Sequence, residues 1–253
     1  MLIPAYPWEL LALVFLMAAL YSSVGHGGAS GYLAAMALFA LVPQEMKPAA
    51  LLMNVFVATL VLGRLARVRR FPWRVFLPIM TAALPMAFLG GMIQLEASGY
   101  RYLVGAALLV AAWHFFVPAG PVAPNGPDGS KVRRPQTATA AAAGASLGLL
   151  AGLTGVGGGI YLSPLLVLLG WCSLRDSAAV AAAFILCNSL AGLAGHGLGG
   201  GGWPPGVAWL VGAAVAGALL GSELLVRRAA VRHLRALLGV VLVIAGLKMI
   251  WTA

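Results

Sequence analysis

Gly152-Leu153-Thr154-Gly155-Val156-Gly157-Gly158-Gly159 interrupts an apolar run that extends from Ala138 to Trp171. Glycine adopts positive φ and lets the backbone turn sharply, so this segment divides the run into two arms. Each arm has about 12–15 apolar residues, roughly 18–23 Å as a helix, against a hydrocarbon core of ~30 Å. The expected form is a helical hairpin whose tip reaches near mid-membrane. Irregular backbone at that depth is tolerated only where it is buried in protein or lines a cavity.

The first apolar stretch, Trp8 to Val42, carries a similar interruption, Ser22-Ser23-Val24-Gly25-His26-Gly27-Gly28-Ala29-Ser30-Gly31. Plain apolar runs follow at 48–65, 75–95 and 100–117, then a Pro/Gly-rich linker, then runs at 177–198, 204–226 and 234–251 after the second interrupted one. The two halves match in order. Gly25-His26-Gly27-Gly28 lies over Gly155-Val156-Gly157-Gly158, Asn54 over Asn188, Gly90-Gly91 over Gly221-Ser222, and Gly105 over Gly239. Self-similar halves are a mark of secondary transporters. The predicted domains are a first repeat at 1–118, a cytoplasmic linker at 119–137 and a second repeat at 138–253.

Composition sets the class. The chain of 253 residues is 62 % hydrophobic and 9 % charged, where a soluble domain carries about a quarter charged residues. The long apolar runs exclude a disordered chain and a soluble domain and point to an integral membrane protein. Sixteen Lys and Arg against six Asp and Glu give a net charge of +10. These cations sit in short connections, where the positive-inside rule explains them without nucleic acid. Cys172 and Cys187 suggest neither a disulfide framework nor a metal site. The N-terminal MLIPAYPWEL has no basic n-region, so a cleaved signal peptide is not expected.

Three connections are basic: Arg64 to Arg74, Lys131 to Arg134, and Arg227 to Arg235. If all three are cytoplasmic, an even number of crossings separates each from the next. The run 138–171 then enters and leaves on one side. Each half makes three crossings plus a hairpin, the second half is inverted relative to the first, and both termini lie outside. The fold class expected is all-α integral membrane, with two inverted repeats, each a short Gly-tipped hairpin plus three transmembrane helices. Eight full crossings are the alternative.

The tips are the candidate site. Each opens a half-helix whose free N–H groups carry partial positive charge and suit an anion. Gly25, His26, Gly27, Gly28 and Ser30 belong to the first tip, and Thr154, Gly155, Gly157, Gly158 and Gly159 to the second. The competing reading is close helix packing through small residues. Asn54 and Asn188 lie inside apolar runs and either donate to a bound oxyanion or hydrogen-bond between helices. His26 either donates to an anion or carries a proton, or is a neutral, backbone-bonded histidine. Glu223 is expected to pair with Arg227 one turn away, His196 to be interfacial, and Lys248 to snorkel. No acidic pair lies inside a span, which weighs against acid/base catalysis and carboxylate-based cation transport.

Gly152 to Gly159 followed by Ser163-Pro164-Leu165, the duplicated tip Ser22 to Gly28, and Asn188 together resemble the sulfite exporter family of the TauE/SafE type. The first half departs from the pattern: Ala34 stands where the second half has Pro164, and His26 where it has Val156. The resemblance implies a bacterial inner-membrane permease for sulfur-containing anions such as sulfite or organosulfonates. The function expected is secondary transport of a small anion by alternating access, without cofactor or metal and without catalysis. Proton or ion coupling and a homo-oligomer are compatible with it. A membrane-embedded enzyme or assembly factor and a passive anion channel are the alternatives.

Overall fold

The computed structural model describes residues 6–23, 27–66, 71–116, 135–227 and 232–253. The linker between the halves therefore lies almost wholly outside the described residues, as do Gly25 and His26 of the first tip. Ten helices are formed among the described residues: α1 (Trp8–Ser23), α2 (Ala29–Leu38), α3 (Pro43–Ala66), α4 (Trp73–Met92), α5 (Ala97–Phe116), α6 (Thr137–Thr154), α7 (Gly159–Leu168), α8 (Leu174–Leu198), α9 (Val207–Arg227) and α10 (Arg232–Trp251). No strand occurs among them. Four segments are long and apolar enough to cross a membrane: Pro43–Leu65, Trp73–Met92, Thr137–Thr154 and Asp176–Leu198.

Several bounds differ from the sequence expectation by a few residues. α3 begins at Pro43 rather than Pro48, because Pro43 fits the first helical position and Glu45 complements the positive helix start. α1 and α6 are also longer than the expected arms, at 16 and 18 residues. α6 is itself one of the four segments long and apolar enough to cross, so the expectation that both its hairpin arms are too short does not hold for it. The partners α2 and α7 are short, 10 residues each.

Helix packing follows glycine. In lipid the apolar surface of a helix gains little by meeting another, so close backbone approach through small residues decides which pairs form. α6 presents Gly144, Gly148 and Gly152, one turn apart, to the carbonyls of Ile79, Ala83 and Ala87 on α4. α9 presents Gly217 and Gly221 to the carbonyls of Phe15 and Ala19 on α1. Gly105 and Gly246 meet where α5 packs on α10. The most extensive pairings are α4 with α6, α1 with α9, α5 with α10, α4 with α8, and α3 with α8. Exchanging the first five helices, in order, for the last five maps α4–α6 onto α1–α9 and returns α5–α10 and α3–α8, while α4–α8 maps onto the less extensive α3–α9.

Polar side chains close the remaining gaps. Arg64 on α3 pairs with Glu223 on α9 at 2.8 Å, so the carboxylate reaches a helix distant in sequence; the Arg227 side chain lies outside the described residues. Lys248 does more than snorkel: its Nζ donates to the Leu38 carbonyl at 2.6 Å and caps the C-terminus of α2.

Candidate functional site

Both glycine tips are turns into a helix N-terminus. Gly28 (φ +86°) precedes α2 and Gly158 (φ +73°) precedes α7, and neither helix start accepts a side-chain cap. Gly155 and Gly157, at φ +83° and +75°, turn the chain between α6 and α7. An L-residue in this left-handed region costs about 1–2 kcal/mol, so glycine is required at these turns for conformation and not only for space.

The tips converge. A Cβ built at Gly27 would lie 3.0 Å from Ile185 Cγ2 and 3.6 Å from Asn54 Oδ1. One built at Gly157 would lie 2.9 Å from Asn54 Nδ2 and 3.1 Å from the same Ile185 methyl. Gly159 also abuts Ile185. Two turns more than a hundred residues apart in sequence thus meet on one side chain of α3 and one of α8. Ile185 occupies the gap between them.

Around this point lie polar atoms that the fold leaves unpaired. Asn54 is fully buried; its Nδ2 donates to the Gly155 carbonyl at 3.3 Å, while its Oδ1 has no partner among the described residues. Asn188 and Ser189 sit one turn beyond Ile185 on α8. Both are fully buried, and neither amide atom of Asn188 nor the Ser189 hydroxyl has a partner among the described residues. Ser22, at the end of α1, is in the same condition. Each unsatisfied buried polar group costs about 1–3 kcal/mol, so their accumulation in one region requires a reason.

The other sequence candidates are occupied locally. The Ser30 hydroxyl donates to Tyr21 Oη at 2.8 Å. The Thr154 hydroxyl donates to the Leu150 carbonyl at 2.6 Å and accepts from the Val156 N–H at 3.1 Å, stapling the second turn. Tyr32 Oη donates to the Gly27 carbonyl at 2.8 Å and Tyr100 Oη to the Thr154 carbonyl at 2.8 Å, so a phenol braces each turn. A Cβ at Gly155 would lie 2.9 Å from the Lys47 carbonyl, which seats the second tip on the start of α3, and one at Gly158 would lie 2.8 Å from Phe184 Cε1.

Lys47 was not singled out in the sequence, because the apolar run was read from Pro48. The helix-start signals at Pro43 and Glu45 place it one turn inside α3. It is only 6 % exposed. Its Nζ donates to the carbonyls of Gly90, Gly91 and Ile93 at 3.0, 2.8 and 2.9 Å, which caps the C-terminus of α4. Lys47→Met is expected to lower stability by about 3 kcal/mol, since it strands three carbonyls. Thermal unfolding in detergent measures this, with Lys47→Arg as the charge-retaining comparison.

A cavity of about 80 Å³ lies beside it, lined by Pro43, Gln44, Lys47, Gln94, Leu95, Tyr100, Leu153, His196 and Gly202. His196, in the last turn of α8, is 5 % exposed, with Nε2 3.0 Å from the Gly202 carbonyl. That contact requires a proton on Nε2. Beyond the lining, burial and then the nearby Glu45 carboxylate push the Tyr6 phenol up, so it stays neutral near physiological pH.

The family model for the sulfite exporter TauE/SafE matches residues 10–249. The probable membrane transporter protein y4hK of Sinorhizobium fredii (strain NBRC 101917 / NGR234) is 33 % identical over 242 residues, covering 95 % of this chain and 97 % of that protein. No solved structure gives a significant match. The chain belongs to the sulfite exporter TauE/SafE family and is a multi-pass membrane transporter.

Proposed function

We propose that the chain is a secondary transporter that moves a small sulfur-containing anion, sulfite or an organosulfonate, by alternating access across a bacterial inner membrane. The observation that carries this reading is the meeting of two uncapped helix N-termini, one from each half, on Asn54 and Ile185, beside amides left without partners. Helix N-termini bind anions through free N–H groups and the helix dipole. Broken helices at a repeat interface are where secondary transporters hold substrate.

Substrate would be held by backbone N–H groups after Gly28 and Gly158, with Asn188 donating from one side and Asn54 through the second N–H of its Nδ2. The correspondence of α4–α6 with α1–α9 when the halves are exchanged supports two repeats at 1–118 and 138–253 joined by the linker 119–137. The basic connections support an inverted arrangement, with the linker and the end of α3 cytoplasmic and both termini outside. Ile185 between the tips corresponds to a closed state, and rocking of the hairpins against α3 and α8 would open each side in turn.

Flux in proteoliposomes tests the reading. Sulfite or methanesulfonate flux above that of protein-free vesicles is the expected result. Cation flux without anion flux overturns it, and single-channel currents in a planar bilayer would replace the carrier by a passive channel.

A further inference from the structure

We propose that the cavity beside Lys47 is a capture subsite for a small oxyanion, distinct from the glycine tips and one level nearer the face on which α3 begins. Two observations lead there. Lys47 is the one lysine or arginine among the residues that line the cavity, and none of them carries a carboxylate. Its ammonium is buried, with no carboxylate within 4.0 Å among the described residues. A buried charge without a counter-charge is costly, and an anion in the cavity would supply one.

Lys47 acts here through its field. Its three N–H groups are held by the α4 carbonyls, which fixes the ammonium in place; carbonyls are dipoles and leave its net charge intact. The direct donors are the amide of Gln44, an exposed residue on the first turn of α3, and the Gln94 amide, whose Nε2 gives one N–H to the Gly199 carbonyl at 2.9 Å and keeps a second. The volume, about 80 Å³, holds a sulfite-sized ion, since a water takes about 30 Å³.

Position connects the cavity to the tips. Lys47 and Asn54 are seven residues apart on α3, hence on one face and about 10 Å apart along the axis. Leu153 and Tyr100 line the cavity, and Tyr100 donates to the Thr154 carbonyl at the start of the second turn. An anion released from the tips toward this face would pass the ammonium next, and one arriving from that face would meet it first.

Equilibrium binding of radiolabelled sulfite to purified protein tests the subsite separately from transport. Asn188→Leu removes a group of the central site and is expected to keep a sulfite site. In that background Gln44→Glu should weaken binding about tenfold and Gln44→Lys should tighten it, through the charge placed at the cavity mouth. Methanesulfonate should displace the label and sodium should not. Absence of sulfite binding in Asn188→Leu, or an affinity indifferent to the charge at position 44, overturns the capture subsite. Failure of wild-type flux with binding retained would instead count against the transport reading alone.

Discussion

Replacing Asn188 with leucine is expected to abolish flux of the proposed anion substrate, by about a hundredfold or more, while the protein folds with unchanged or higher thermal stability. The second half of this expectation separates a binding group from a structural one. An amide that hydrogen-bonds between helices destabilises the fold when replaced. Asn188 is fully buried, with no partner among the described residues for either amide atom, so leucine, branched at the same atom though larger, removes a desolvation penalty and no bond. What disappears is the donor available to substrate. Initial rates in proteoliposomes, paired with unfolding in detergent, read both effects. Normal flux would remove Asn188 from the site, and a lower unfolding temperature would assign it to the scaffold. Gly157→Leu is expected to lose flux by another route: its φ of +75° disfavours any side chain, and its Cβ would press on Asn54 Nδ2 at 2.9 Å.

Gly148→Leu is expected to have the largest effect on stability. Its Cβ would collide with the Ala83 carbonyl oxygen, backbone that cannot swing aside. α6 must then move off α4, and the contacts of Gly144 and Gly152 go with it. Overpacking at a backbone contact costs about 3 kcal/mol or more, which for a chain of this size lowers the unfolding temperature by roughly 10 °C. Gly212→Ala provides the contrast, since nothing lies within 4 Å of its Cβ position. That substitution is expected to leave stability unchanged or raise it by up to about 1 kcal/mol through helix propensity. Equal effects of the two substitutions would show that glycine acts here through conformation and not through approach.

Much of the site was legible in local sequence. The glycine turns declare themselves because positive φ is a property of a few consecutive residues, and four described glycines at the two tips adopt it. The intramembrane asparagines stand out against an apolar background. The roles of Ser30 and Thr154 were not legible: as polar residues flanking a tip they look like ligand donors, yet each hydroxyl is spent on a neighbour, Tyr21 in one case and the turn itself in the other. Local bonding of serine and threonine to nearby groups competes with any ligand role. Lys47 was hidden for another reason. A lysine before a proline at the edge of an apolar run looks like a membrane boundary, and only the end of α4 turns it into a buried cap.

The sequence alone determined that this is an integral membrane protein built of helices, with two glycine-turned runs and the marks of the TauE/SafE family. Those are consequences of composition, run length and backbone freedom, all local along the chain. The tertiary structure alone decided that Gly27 and Gly157 meet on Asn54 and Ile185, that Glu223 reaches Arg64, and that Lys47 stands beside a cavity free of carboxylates. These depend on which helices approach closely, and in lipid that choice is made by complementary small-residue surfaces far apart in sequence.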